Sequence, residues 1–264
     1  MILSAQSTTV KEPKITLVGA GPGDPELISL KGINAIKSAD VILYDANIDK
    51  SLLDYAPEHA TKIFVGSPVD DDTYSQETVN KLIIDYALNF GHVVRLKTGD
   101  LFVFGRGYEE LDNAASYSIQ TEIIPGISSA VSVPGLQGVP VTHRGMSDSL
   151  WIISATDSKG NLSPDLYTAA KTDATVVIML GIEKVAEIVG IYQKEGRSRM
   201  PVAVIQHGST KDEKVVVGNI KTIAEAVEEK NIGSPALIVI GAVVGLHPLF
   251  QPIREFYEAQ EIAL

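Results

Sequence analysis

Along residues 14–246, short runs dominated by Val, Ile and Leu alternate with stretches whose apolar positions recur at helical spacing. In the first half the runs are KITLVG, DVILYD, TKIFVG, HVVRLK and TEIIPG. In the second half they are LWIISA, TVVIML, PVAVIQ, KVVVG and PALIVIG. Several are apolar throughout, as expected of strands covered on both faces by helices. In residues 73–90, Val79, Leu82, Ile83, Tyr86 and Ala87 keep i, i+3, i+4 spacing. Thr73 and Gln76 are placed for a capping box at its start, and Gly91 for its end. Residues 182–192 and 220–230 carry similar apolar stripes. This alternation predicts an α/β fold, two α/β domains with mainly parallel sheets.

The Gly- and Pro-dense stretch GLQGVPVTHRGMSD, residues 135–148, breaks the pattern and is the expected junction. The predicted organisation is a mobile polar tail over 1–13, an N-terminal domain over 14–140, a C-terminal domain over 147–247, and a helix or tail over 248–264. Two such domains are expected to form a cleft for a small molecule.

Composition narrows the chemistry. The chain has 264 residues, no Cys, five His and a formal net charge of −11. Without Cys there is neither a disulfide framework nor a thiolate site, and the scattered His lack zinc-helix spacing, so no metal is expected. The acidic surface disfavours nucleic acid and anionic membranes as partners. The first residues, MILSAQSTTVKEP, lack the layout of a signal peptide, and no run has membrane-spanning length. A cytoplasmic protein is expected.

The loop in KITLVGAGPGDPELISLKG is close to a dinucleotide fingerprint, with Gly19, Gly21 and Gly23 after a strand. Asp24 stands where a third glycine belongs, and Pro22 and Pro25 lack the N–H groups that a phosphate cradle uses. A nicotinamide dehydrogenase with Asp45 as ribose ligand, a ligand-free turn, and a rigid wall for another ligand all remain open on this loop alone. In VVRLKTGDLFVFGRGYEEL, a strand ends at Thr98-Gly99-Asp100 and a Gly105-Arg106-Gly107 turn precedes a helix near Tyr108. Strand C-termini aim their loops at a ligand crevice, which makes Asp100 a candidate for a polar contact. Glu109 and Glu110 read as first-turn carboxylates favouring the helix dipole. Arg95 and Lys97 read either as ligand-binding cations or as a solvated edge.

The motifs GAGPGDPELISLKG, ADVILYD, RLKTGDLFVFGRGYEEL, IIPGISSA and GVPVTHR, in this order over residues 14–246, resemble the tetrapyrrole methylase superfamily. Within it the likeness is to members that C-methylate uroporphyrinogen III. The resemblance implies S-adenosylmethionine held in an interdomain cleft of a homodimer, and two methyl transfers, through precorrin-1 to precorrin-2, in sirohaem or cobalamin synthesis. The cofactor residues it implies are Gly21, Pro22, Gly23, Thr98, Gly99, Asp100, Val103, Ser128, Ser129, Leu180, Gly208 and Ala236. Thr98 departs from the family's usual Gly, and Leu180 stands where Met is common. Asp45, in the family's YD motif, is the implied catalytic base, the alternative being a loop-capping role. Arg95, Arg106, His143 and Arg144 are the implied substrate ligands, guanidinium forks suiting the many carboxylates of the substrate. For His143 and Arg144 the alternative is a structural link between domains. Trp151 reads as packing. Ser67 stands where relatives carry a Lys, which leaves open a later precorrin such as precorrin-4 as substrate, or a non-catalytic binder of S-adenosylmethionine or tetrapyrrole.

Overall fold

The computed structural model describes residues 11–66, 74–157 and 159–250. Ser67, Thr73 and residues 251–264 of the expected C-terminal helix lie outside the described residues. The chain divides into two compact units between Ser128 and Ser129.

The first unit is built on five parallel strands in the order β3-β2-β4-β1-β5. These are β1 (Lys14–Gly19), β2 (Val41–Asp45), β3 (Thr61–Gly66), β4 (His92–Lys97) and β5 (Gln120–Ile124). Helices α1 (Leu30–Lys37), α2 (Gln76–Phe90) and α3 (Gly107–Ser116) connect them. Alternation along the strands sends Leu17, Leu43 and Val93 to a core with α2 and α3. Val18, Ile42 and Val94 go to a core on the opposite face with α1. Both faces are covered, which is why these runs are rich in Val, Ile and Leu rather than alternating apolar with polar. Helix α2 starts from Ser75, whose hydroxyl accepts the N–H of Thr78 at 3.2 Å, rather than from the Thr73–Gln76 pair.

The loop after β1 does not lead straight into a helix. Asp24 accepts the N–H of Glu26 and caps a short 3-10 turn, Pro25–Leu27, with Pro25 at its first position. Helix α1 begins only at Leu30, capped by the Ser29 hydroxyl. A dinucleotide site needs a helix N-terminus directly behind the glycine turn. This loop withholds it, so the dehydrogenase reading fails on local geometry.

At the C-terminal ends of β1, β4 and β5, three glycines pack against one another. A Cβ on Gly126 would lie 2.2 Å from the Gly99 oxygen, and one on Gly19 would lie 2.5 Å from the Gly126 nitrogen. The obstructing atoms are backbone and cannot swing away. Gly126→Ala is expected to lower the unfolding free energy by about 1–3 kcal/mol, the usual range for overpacking. Urea denaturation measures it, and an unchanged midpoint would contradict the close approach.

At the other end of the sheet, Glu122 on β5 receives Lys14 at 2.7 Å and Lys31 at 2.8 Å. The two ammonium groups hold its carboxyl at about 2, below its ordinary 4.5. A depressed carboxylate stabilises the fold fully above its unfolded pKa, and this contribution disappears as pH falls through the folded value. The wild-type advantage over Glu122→Gln in thermal melts is therefore expected above pH 4.5 and gone near pH 2. Because the ion pairs are part-exposed, the difference is expected to be small.

The second unit carries a five-stranded sheet in the order β6-β7-β10-β8-β9. Its strands are β6 (Leu150–Ser154), β7 (Thr175–Met179), β8 (Pro201–Gln206), β9 (Lys214–Asn219) and β10 (Ala236–Ile240). Its helices are α4 (Ser129–Leu136), α5 (Asp165–Ala169), α6 (Val185–Lys194) and α7 (Ile223–Glu229). Only β6 and β7 run parallel; β10 is antiparallel to both β7 and β8, and β8 to β9. The expectation of mainly parallel sheets therefore holds in the first unit and not in the second. Strands β8 and β9 form a hairpin, and β10 returns from α7 to insert between β7 and β8.

The unit boundary also falls earlier than the Gly/Pro-dense stretch. Ala130, Val133 and Val139 are buried with Val177, Ala203 and Val239, so residues 129–140 belong to the second core. Trp151 is half-buried against the core on the other face of this sheet, a packing role.

Candidate functional site

In the first unit the candidate residues gather at the C-terminal edge of the parallel sheet, where open α/β sheets bind ligands. The loops after β1 and β4 are joined there by a pair of backbone hydrogen bonds. Gly99 donates to the Gly21 carbonyl at 2.7 Å, and Gly21 donates to the Gly99 carbonyl at 3.3 Å. Gly99 has φ +70°, and a Cβ built on it would meet nothing within 4 Å. Beside it the Thr98 hydroxyl oxygen is buried without a hydrogen-bond partner among the described residues. An orphaned buried hydroxyl next to open backbone fits a polar ligand.

Asp100 closes its own loop through one carboxylate oxygen. Its Oδ1 accepts the N–H groups of Phe102 at 2.8 Å and Val103 at 3.0 Å, folding the loop back on itself. That loop holds Phe104 and Arg106 at φ +56° and +55°, a left-handed region that costs non-glycine residues energy. Phe102, Phe104 and Tyr108 are exposed, as is Arg106, which makes no ion pair among the described residues.

Asp45 ends β2. Its Oδ1 accepts Arg95 Nη2 at 2.5 Å, and its Oδ2 lies 3.4 Å from the Thr98 amide, so the carboxylate ties β2 to the end of β4. About a quarter of the side chain remains exposed. The carboxylate is thus a structural tie that still presents part of its surface to solvent.

Arg95 and Lys97 are neither substrate ligands at a surface nor a solvated edge. Both are buried. In the β2–β4 ladder Leu43 pairs with Arg95 and Tyr44 with Leu96, so Arg95, Lys97 and Asp45 share the face under α3. Glu110 of α3 comes down onto them: its Oε1 accepts Lys97 Nζ at 2.9 Å and Arg95 Nε at 3.1 Å. Glu109 and Glu110 both lie in the first turn of α3, as expected, but Glu110 is fully buried and only Glu109 faces solvent. Burial pushes the Arg95 guanidinium toward losing its proton, but Asp45 and Glu110 more than offset this and hold its pKa above the ordinary value. Of the four implied substrate cations, Arg95 is thereby withdrawn into the protein.

In the second unit, Leu180, Gly208 and Ala236 lie at one edge of the mixed sheet. Leu180 follows β7, Ala236 opens β10 opposite Gln206, and Gly208 follows β8. Leu180 is 63% exposed at φ +55°, and His207 and Ser209 flank Gly208 at +49° and +68°. Gly208 admits no side chain, because a Cβ would lie 2.3 Å from Val133 of α4, the helix that starts at Ser129. Ser128 closes the first unit just before it.

His143 and Arg144 lie elsewhere in this unit. Their loop is closed by paired backbone bonds between His143 and Ser147, and the buried Ser147 hydroxyl accepts the N–H of Thr175, where β7 begins. Leu180 lies beyond the other end of β7, roughly 17 Å away for a strand of this length. Thr142, His143, Arg144, Ser147 and Asp148 line a separate open cavity of about 340 Å³. Among the described residues, no grouping of three or more His, Cys, Asp or Glu side chains is arranged to hold a metal ion.

A parallel sheet with a carboxylate and glycine loops at its C-terminal edge, followed by a mixed sheet with strained loops along one edge, defines an α/β protein that binds a small molecule. The particular family follows from comparison. The profile of Tetrapyrrole (Corrin/Porphyrin) Methylases matches residues 14–224, and the chain belongs to this family. It is similar to a uroporphyrinogen-III C-methyltransferase of Methanocaldococcus jannaschii, 41% identical over 88% of this chain and 97% of that one. A Bacillus subtilis protein of the same name is 42% identical over 89% of this chain and 92% of its own length. The solved Thermus thermophilus uroporphyrin-III C-methyl transferase, complexed with S-adenosyl homocysteine, superposes with a TM-score of 0.75. It is 34% identical, covering 88% of this chain and 99% of that one.

Proposed function

We propose that this chain is an S-adenosylmethionine-dependent C-methyltransferase that methylates uroporphyrinogen III twice, giving precorrin-2 by way of precorrin-1. Its relatives carry that name over nearly their full length. The observation that carries the reading is Asp45, a part-exposed carboxylate held by a buried guanidinium at the C-terminal edge of the first sheet.

Gly21, Pro22, Gly23, Thr98, Gly99, Asp100, Val103 and Ser128 are the first unit's residues for the cofactor; Ser129, Leu180, Gly208 and Ala236 are the second's. The open backbone at Gly99 and the unpartnered Thr98 hydroxyl suit such a ligand. When bound, S-adenosylmethionine supplies a methyl group activated by its sulfonium centre. The protein's own work is placement and exclusion of water, because an in-line displacement needs little else. Methyl transfer leaves the ring system cationic, so the ring must then shed a proton from a position other than the newly quaternary carbon, and Asp45 accepts it as general base. Arg106, His143 and Arg144 are exposed and supply cations for substrate carboxylates. Arg95 serves the substrate only through Asp45.

A homodimer in the cytoplasm, serving sirohaem or cobalamin synthesis, completes the reading. The exposed Phe64, Phe102, Phe104 and Tyr108 favour association of two copies, which light scattering would test. Among the described residues no helix is long and apolar enough to cross a membrane. An anaerobic assay with S-adenosylmethionine and enzymatically generated uroporphyrinogen III, read by mass spectrometry, tests the function. Two added methyl groups support it. No transfer while the cofactor binds overturns it, and methyl gain on precorrin-4 would move the assignment to a later precorrin.

A further inference from the structure

Glu110 is, with Lys97, a member of the buried charge cluster whose role the proposed chemistry does not explain. Its Oε1 takes three donors, from Lys97 at 2.9 Å, Arg95 at 3.1 Å and Gln76 of α2 at 3.3 Å, while Oε2 has no hydrogen-bond partner among the described residues. A guanidinium is planar and its donors point in fixed directions, so holding two of them determines where the third points. Here Nε is held by Glu110 and Nη1 by the Leu96 carbonyl at 3.1 Å, and Nη2 is thereby directed at Asp45. We infer that Glu110 is a positioning residue, which fixes the orientation of Asp45 through Arg95 and balances the charge around it. The inference rests on Asp45 being the proton acceptor proposed above.

The groups around Asp45 give the balance a sign. Strand β4 contributes Arg95 and Lys97, α3 contributes Glu110, and α2 contributes the uncharged Gln76. Strand β3 brings Gly66 opposite Asp45, with no charge. Among the described residues, two cations thus face two carboxylates. Glu110→Gln keeps the shape and removes one negative charge, leaving two cations facing the single carboxylate of Asp45. That carboxylate then holds a proton less readily.

The test uses the full chain without ligands. The carboxyl carbon of Asp45, identified by its loss in Asp45→Asn, is titrated by NMR in wild type, Glu110→Gln and the double variant Lys97→Met/Glu110→Gln. The expected result is a midpoint lower by about one pH unit in Glu110→Gln. The double variant, with one cation and one carboxylate restored, is expected to return close to wild type. In turnover, kcat of Glu110→Gln is expected to fall about tenfold at unchanged KM, with its acidic limb following the NMR midpoint. An Asp45 midpoint that does not move in Glu110→Gln overturns the inference. So does equal displacement in the single and double variants, or a loss of stability with no change in the limb. Failure of the functional reading looks different: the midpoints shift as expected, yet wild type transfers no methyl to any tetrapyrrole.

Discussion

Asp45→Asn is expected to lower kcat for methyl transfer by about 10²–10⁴-fold, the usual contribution of a positioned base. Binding of S-adenosylmethionine is expected to remain, because the residues assigned to the cofactor at this edge are mainly loop backbone after β1 and β4, joined to each other at Gly21 and Gly99. The amide is the informative replacement. Asn keeps one oxygen for Arg95 Nη2 and gives up the longer 3.4 Å contact with the Thr98 amide, so the guanidinium stays partnered while the capacity to take a proton is lost. Alanine would also leave the buried guanidinium short of a partner and mix stability with chemistry. Single-turnover kinetics beside calorimetric cofactor binding separates the two. An Asn variant that turns over at the wild-type rate would remove Asp45 from the mechanism and leave it a purely structural tie.

Arg95→Ala is expected to lower the unfolding free energy by about 3–5 kcal/mol, the range for breaking a buried ion pair from one side. Arg95 is 3% exposed and serves both Asp45 and Glu110, so its loss leaves Lys97 alone to balance two carboxylates. Replacement of a buried charged set by apolar side chains of similar volume is frequently neutral. The triple change Arg95→Met, Lys97→Met and Glu110→Leu should therefore be less damaging than Arg95→Ala. Urea denaturation at neutral pH compares them. If Arg95→Ala unfolds at the wild-type midpoint, the cluster is open to water and contributes little.

The strands were legible because each unit's core is a run of Val, Ile and Leu that few other structures use; every run named from the sequence is a strand. Strand direction was not legible. TVVIML and PALIVIG are buried on both faces whether their neighbours run parallel or antiparallel. The signal was in the connections: only residues 207–213 separate β8 from β9, enough for a hairpin and too few for a crossover helix. The places of Asp45, Gly99 and Leu180 at or just beyond strand ends were legible through motifs. The burial of Arg95 and Glu110 was not, because burial of a charge depends on a partner distant in sequence. A trace of it does exist. In α3 the buried positions are Gly107, Glu110 and Ala114, so Glu110 lies on the apolar stripe of its helix, where an unpaired carboxylate would be intolerable. His143 and Arg144 lie in a loop near the start of β7, at the opposite end of that strand from Leu180, a separation the motif does not reveal.

The contrast between the two sheets bears on how the chain reaches its fold. In the second unit the β8–β9 hairpin joins residues close in sequence, and its pairing can form within microseconds without waiting for the rest. The first unit has no such shortcut: every strand pair is parallel and must await a crossover of many residues. Its loop-closure entropy is incurred before any contact offsets it, so its contact order sets the slower clock. Released from denaturant, the C-terminal half is expected to gain protected amides first, with β8 and β9 leading, while the sheet that carries Asp45 assembles later.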